Sequence, residues 1–199
     1  MRFSVIITAY NAVNRIATTL NSIRFQTFTD YELIVVCDSC IDNTKQIAEG
    51  YSAIVIESQY GNPGLAKKPA LDIAKGEFIL FIDDDDWFTH AQAFEMLDAK
   101  IRETKADILC FGFIMGKLGY KKPLDNGGRL FPAQWSKAWR RSFIGKTRFT
   151  KDILTQEVIF SNTIFNKNPK IMLWDSPIYF HDWMRVGSIT EVASNGDFK

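Results

Sequence analysis

Glu77-Phe-Ile-Leu-Phe-Ile-Asp-Asp-Asp-Asp-Trp-Phe88 is an apolar run that empties into four carboxylates and is closed off by two large aromatics. Phe78 to Ile82 is apolar at every position and too short for a helix, the pattern of a strand buried on both faces. Asp83 to Asp86 then fall at its carboxyl end, and in open α/β sheets that is where the ligand crevice lies. Adjacent carboxylates repel one another unless a cation or bound protons relieve them. Hard divalent cations prefer oxygen ligands, commonly one or two carboxylates together with substrate phosphates. The run therefore predicts a buried strand that ends in a metal–nucleotide site, against the plainer reading of a solvated acidic turn.

Outward from this strand, the apolar pattern alternates short buried runs with helical stripes, as in a mostly parallel sheet flanked by helices. Strands are expected at Ser4–Thr8, Glu32–Val36, Ala53–Glu57, Ile108–Phe113 and Ile171–Trp174. Helices are expected at Ala12–Gln26, Asn43–Tyr51, Leu71–Lys75 and Val158–Asn166. Gly61-Asn-Pro-Gly64 reads as a loop, and Thr89-His-Ala-Gln92 as a capping box opening a helix that carries Phe94, Leu97 and Ile101. The expected organisation is a single domain, with an α/β core over 1–114 and a compact basic extension over 115–199 on the acceptor side of the same site.

With 199 residues, 46% of them hydrophobic, the chain can bury an ordinary core without disulfides, and its three cysteines are expected to be reduced thiols. No apolar stretch approaches a membrane span, and the N-terminus lacks a signal-type segment. A cytoplasmic protein is expected, peripheral at the inner membrane face at most. The net charge of +1 hides an asymmetry: from Met115 to Lys151 six lysines and four arginines face Asp125 alone, a net +9 that leaves −8 elsewhere. Such a stretch is suited to an anionic partner, whether a lipid-linked phosphate, a membrane surface or DNA. Trp135 and Trp139 lie within it at helical spacing, where they would stack on bases, seat at a membrane interface or pack one helix face on the core.

Several ordered blocks carry a more specific likeness. Phe3-Ser-Val-Ile-Ile-Thr-Ala-Tyr-Asn11, Ser22-Ile-Arg-Phe-Gln-Thr-Phe28, Asp30-Tyr-Glu-Leu-Ile-Val-Val36 with Asp38 and Asp42-Asn-Thr44, and Gly76 to Trp87 resemble the family 2 glycosyltransferases in content and order. Tyr179 to Thr190 is similar to a late segment of the same family. The resemblance implies a GT-A, Rossmann-like fold and inverting transfer of a sugar from a nucleotide donor, UDP favoured. It implies Thr8, Tyr10 and Asp38 around the nucleobase, with Asp38 accepting the uracil N3 proton. Asp83 and Asp85 match the family's Asp-x-Asp and, with His181, would hold Mn2+ or Mg2+. Asp83, Asp84, Lys67, Arg185 and Ser188 would line the donor. The acceptor would be a hydroxyl of a glycan or lipid-linked sugar, with Glu157 as its base and Asp86 and Asp152 in reserve.

The likeness departs at Cys37-Asp-Ser-Cys40, where relatives carry Asp-Asp-Gly-Ser. That leaves a Cys-x-x-Cys spacing which elsewhere marks a dithiol or half a zinc site. Gln156 likewise replaces an acid. Other classes therefore stay open beside the leading one: a glycosyltransferase modifying a hydroxylated DNA base, a nucleotidyltransferase, and a non-catalytic nucleotide-binding module.

Overall fold

A computed structural model describes residues 1–124, 128–152 and 155–183. The strands are β1 (Phe3–Ala9), β2 (Tyr31–Asp38), β3 (Ile54–Ser58), β4 (Phe78–Asp83), β5 (Trp87–Phe88), β6 (Ile108–Met115), β7 (Tyr120–Lys121), β8 (Lys137–Arg140) and β9 (Ile171–His181). The helices are α1 (Ile16–Arg24), α2 (Thr44–Glu49), α3 (Pro63–Ile73), α4 (Ala93–Thr104), α5 (Arg141–Ile144) and α6 (Gln156–Phe165). All nine strands join one sheet in the order β3-β2-β1-β4-β8-β6-β9-β5, with β7 on β6. β1 to β4 are mutually parallel, β8 is antiparallel between β4 and β6, and β9 returns parallel to β6. This is the expected Rossmann-like α/β architecture, and the basic half of the chain contributes β7, β8 and β9 to the same sheet.

Side chains alternate across each strand, so each strand feeds two cores. Phe3, Val5 and Ile7 of β1, with Phe78, Leu80 and Ile82 of β4, pack against Ile16, Leu20 and Ile23 of α1 and Phe94, Leu97 and Ile101 of α4. Ile6, Ile79 and Phe81 face the other way, onto Ala66, Ala70 and Leu71 of α3 and Phe160 and Ile164 of α6. Continuing that alternation, Asp83 emerges on the α3–α6 face. Thr8 and Asp38, in phase with Ile6 and Val36, emerge on the same face, and the register sets Thr8 directly beside Asp83.

Several local expectations are corrected. α1 begins at Ile16 rather than Ala12, because the Ala12 amide donates to Thr44 Oγ1 (2.7 Å) and the Val13 amide to Asp42 Oδ2 (3.1 Å). The supposed loop at Gly61–Gly64 is the start of α3: Asn62 Oδ1 accepts from the Gly64 and Leu65 amides, with Pro63 at the first helical position. The capping box is absent from α4. Thr89 donates instead to the Pro177 carbonyl (2.8 Å), and the Phe94 amide is capped from a distance by Gln26 Oε1 (3.0 Å). β9 runs on to His181, bulging where it passes Gly112.

Trp135 and Trp139 do not share a helix. A short 3-10 turn at Gln134–Ser136 passes directly into β8, so the two indoles point into opposite cores, 4% and 0% exposed. The basic stretch is likewise dispersed among the described residues. Lys137 is buried, Arg140 pairs with Glu77 and Asp107, Arg148 with Asp72, and Lys122 with Asp175. No helix of the described residues is long and apolar enough to cross a membrane.

Candidate active site

The four aspartates divide by parity. Asp83 and Asp85 are half-buried on the open side, while Asp84 and Asp86 turn into the protein. The Asp84 carboxylate is gripped on both oxygens by Arg15, Nε to Oδ1 at 2.8 Å and Nη2 to Oδ2 at 2.9 Å, and also accepts the Tyr10 amide at 3.2 Å. Arg15 in turn donates to the Tyr10 and Asn11 carbonyls, both at 2.9 Å. Asp84 thus clamps the β1–α1 loop. Burial pushes its carboxyl pKa up, and Arg15 pulls it only part of the way back.

Asp86 is fully buried and equally committed. It accepts from the Tyr179 hydroxyl (2.6 Å), from the Asp182 amide (2.9 Å) and from Nδ1 of His181 (3.0 Å). Fully buried and already receiving three donors, it is poorly placed to reach an acceptor hydroxyl as a base. Its effect is to orient His181. Burial disfavours the imidazolium, but hydrogen bonding and charge from Asp86, with Asp83 and Asp85 behind it, raise the His181 pKa overall. Trp135 stacks on the imidazole, ring centres 4.4 Å apart, and fixes it from the other side.

Asp83, Asp86 and His181 offer ligand atoms that all lie within 4.8 Å of one another, a set that fits a divalent cation. A histidine held at Nδ1 by a carboxylate keeps Nε2 available, so Asp86 would orient His181 if His181 and Asp83 were to hold a cation. Asp85 stands close enough for its charge to bear on Arg15, Asp84, Asp86 and His181. The chemistry of the set agrees. Burial and the neighbouring Asp86 charge drive the Asp83 carboxyl well above the ordinary range, with Lys67 only partly offsetting them, and a bound cation would relieve that repulsion.

Two residues from the helices complete the cluster. Lys67 of α3 is buried, donates to the Pro63 carbonyl (3.3 Å) and lies 5.1 Å from the centre of the Phe149 ring. Glu157, half-buried in the first turn of α6, is pushed up by burial, and Lys67 pulls it back most strongly among its neighbours. α3 and α6 are brought together where Gly64 meets Gln156: a Cβ at Gly64 would fall 1.5 Å from Gln156 Oε1.

The nucleobase candidates lie on the next two strands. Tyr10 is 60% exposed at the end of β1. Asp38 is buried and accepts from Ser58 Oγ (2.9 Å), the Tyr60 amide (2.7 Å) and the Asn62 amide (3.0 Å), tying the β3–α3 loop to β2. Those three bonds leave about one acceptor position of a carboxylate for a ligand. Arg185 and Ser188 lie outside the described residues. Asp152 is exposed and binds Thr155 Oγ1 (2.7 Å) ahead of α6. The Cys-x-x-Cys pair is no activated dithiol: burial pushes the Cys37 thiol up to about 12, and Cys40 Sγ donates to the Ala9 carbonyl. Sequence reasoning missed Arg15, which carries no local motif. Tyr179 lay within the late block of the resemblance but was given no role there.

Known proteins share this fold and parts of this sequence. A protein from Staphylococcus aureus, poly(ribitol-phosphate) beta-N-acetylglucosaminyltransferase TarS, is 38% identical over 117 residues, 55% of this chain and 20% of its own. The putative glycosyltransferase EpsH of Bacillus subtilis is 29% identical over 74% of this chain and 49% of its own. The chain therefore spans half or less of the length of these relatives. The crystal structure of S. aureus TarS 1–349 in complex with UDP-GlcNAc superposes with a TM-score of 0.81 at 25% identity, covering 96% of this chain and 61% of that one. Glucosyl-3-phosphoglycerate synthase from Mycobacterium tuberculosis, solved with Mn2+ and UDP, shares the fold at a TM-score of 0.71 and 17% identity. The sequence profile described as "Glycosyl transferase family 2" matches residues 4–170, spanning β1 to the edge of β9 and every described acid of the site, and the chain belongs to that family.

Proposed function

We propose that this chain transfers a sugar from a UDP-linked donor to a hydroxyl of a glycan or polyol-phosphate acceptor, with inversion, using a divalent cation at Asp83, Asp85 and His181. The observation that carries the reading is the convergence of Asp83, Glu157 and the Asp86–His181 pair where β4 ends. The complex of TarS with UDP-GlcNAc supports a UDP-sugar, and the poly(ribitol phosphate) named in the relatives' activities supports a polyol-phosphate acceptor.

When bound, the cation supplies charge neutralisation for the departing diphosphate, as a Lewis acid. The protein's own residues do the rest. Tyr10 offers an exposed ring to the nucleobase, and Asp38 offers its remaining acceptor position to the uracil N3–H. Tyr179 and Asp86 hold His181 in one orientation. Glu157 takes the proton from the acceptor hydroxyl as it attacks the anomeric carbon. Its raised pKa suits a base that must hold the proton it accepts.

The DNA-acceptor reading loses its motive, because the two tryptophans are buried in opposite cores and the basic side chains are dispersed. The test is UDP release from UDP-N-acetylglucosamine and UDP-glucose with Mn2+, with poly(ribitol phosphate) as acceptor. Transfer that yields the inverted anomer and is abolished in Asp85→Ala and Glu157→Gln is the expected result. Retention of anomeric configuration would overturn the mechanism.

A further inference from the structure

We propose that Gln134 is a positioning residue for Glu157: its buried carboxamide receives the Glu157 carboxylate in the loaded site and holds it toward the acceptor hydroxyl. The proposal rests on the reading of Glu157 as the base. Gln134 is 0% exposed, and among the described residues neither its Nε2 nor its Oε1 has a hydrogen-bond partner. Buried amides are almost always satisfied, so one left open at both ends calls for a reason.

The backbone that carries this side chain is held in place. The Gln134 carbonyl accepts from Trp139 Nε1 at 3.0 Å. Trp135 is stacked on Tyr179 and His181, and Lys137 Nζ bonds the Ala133 carbonyl at 2.6 Å. The 3-10 turn is thus held on both sides of Gln134. α6 packs on the same segment through Ser161, whose hydroxyl donates to the Pro132 carbonyl at 3.3 Å. The Gln134 amide lies within range of the Glu157 carboxylate and favours its charged form, although it stops short of hydrogen-bond geometry.

A small rotation of Glu157 would bring one of its oxygens to within about 3 Å of Nε2. That bond satisfies the open donor and leaves the second carboxylate oxygen for the acceptor proton. A base oriented by a further group is the arrangement that general-base chemistry favours. A neutral amide does this without adding charge to a cluster that already contains Asp83 and Asp86.

Gln134→Met separates this role from packing, because it keeps the shape and removes both polar atoms. A melting midpoint equal to wild type or higher by about 2–4 °C is expected. For UDP release from UDP-N-acetylglucosamine, with poly(ribitol phosphate) or water as acceptor, kcat should fall about 10- to 100-fold with the donor KM unchanged. Glu157→Gln sets the floor, and the double variant Gln134→Met with Glu157→Gln should be no slower than Glu157→Gln alone. Gln134→Leu provides the same readings if the Met variant folds poorly. The proposal is overturned if Gln134→Met keeps wild-type kcat, if Gln134→Met and Gln134→Leu both lose stability and activity together, or if the two losses multiply in the double variant. Wild-type kcat in Glu157→Gln would instead overturn the base assignment, an outcome read independently of Gln134.

Discussion

Asp84→Ala should cost stability, while Asp85→Ala should cost metal-dependent nucleotide binding, although the two residues are neighbours in a run of four identical side chains. Asp84 receives three hydrogen bonds, two of them from the Arg15 guanidinium. Removing one partner of a buried ion pair typically costs about 3–5 kcal/mol, because the other charge is left uncompensated. Two features of the site lower that figure. The Arg15 side chain is 24% exposed, so water reaches part of it, and it keeps its bonds to the Tyr10 and Asn11 carbonyls. A loss of about 2–4 kcal/mol follows. For a chain of this size that corresponds to a melting midpoint lower by roughly 4–16 °C. Replacing both partners together, as Arg15→Leu with Asp84→Leu, should recover much of the loss, since no unpaired charge remains. The assay is thermal unfolding by circular dichroism, paired with UDP titration at a temperature where each variant is folded. A wild-type midpoint in Asp84→Ala, or an Asp85→Ala variant that loses as much stability as Asp84→Ala, would refute the division of the acids into clamp and site.

Two further outcomes are expected. Gly76→Ala should destabilise severely, by roughly 3 kcal/mol or more in urea unfolding, because its Cβ would lie 2.3 Å from the Ser4 amide nitrogen and 2.5 Å from the Phe3 carbonyl carbon, both rigid backbone; a loss under about 1 kcal/mol would show that the strands separate at little cost. Asp83→Asn should stabilise the metal-free protein in EDTA at pH 7.5, and the gain should shrink toward pH 4. The sign follows from its raised pKa: below the unfolded pKa of about 3.9 the acid is protonated in both states, and as pH rises through that value the unfolded chain releases the proton before the folded one, which costs the folded state stability. A gain that does not change with pH, or a loss at pH 7.5, would contradict the account.

The strand and its acids were legible because their signal is local. An all-apolar run of strand length has few other fates, and period-two alternation alone predicts that Asp83 follows Ile79 and Phe81 to one face. What each acid does was not legible, since its partner is remote in the chain. Arg15 is 69 residues from Asp84, and His181 is 95 from Asp86. The same holds for the helix starts. The cap of α3 is written in Asn62-Pro63, a local signature, whereas that of α4 comes from Gln26, 68 residues from the amide it binds. Trp135 and Trp139 misled for a related reason: spacing of four suggests a helix face only where the backbone is helical, and here a turn runs straight into a strand. Gln134 has no sequence signal at all, because an unsatisfied amide is a property of its three-dimensional surroundings.

Calorimetric titration of UDP, with and without Mn2+, into the wild-type protein and Asp85→Ala tests the central claim most directly. Binding that strengthens with Mn2+ in the wild type and loses that dependence in Asp85→Ala is the predicted result. Equal affinity with and without the metal, or an Asp85→Ala variant indistinguishable from wild type, would contradict the assignment of the end of β4 as a metal-assisted nucleotide-sugar site.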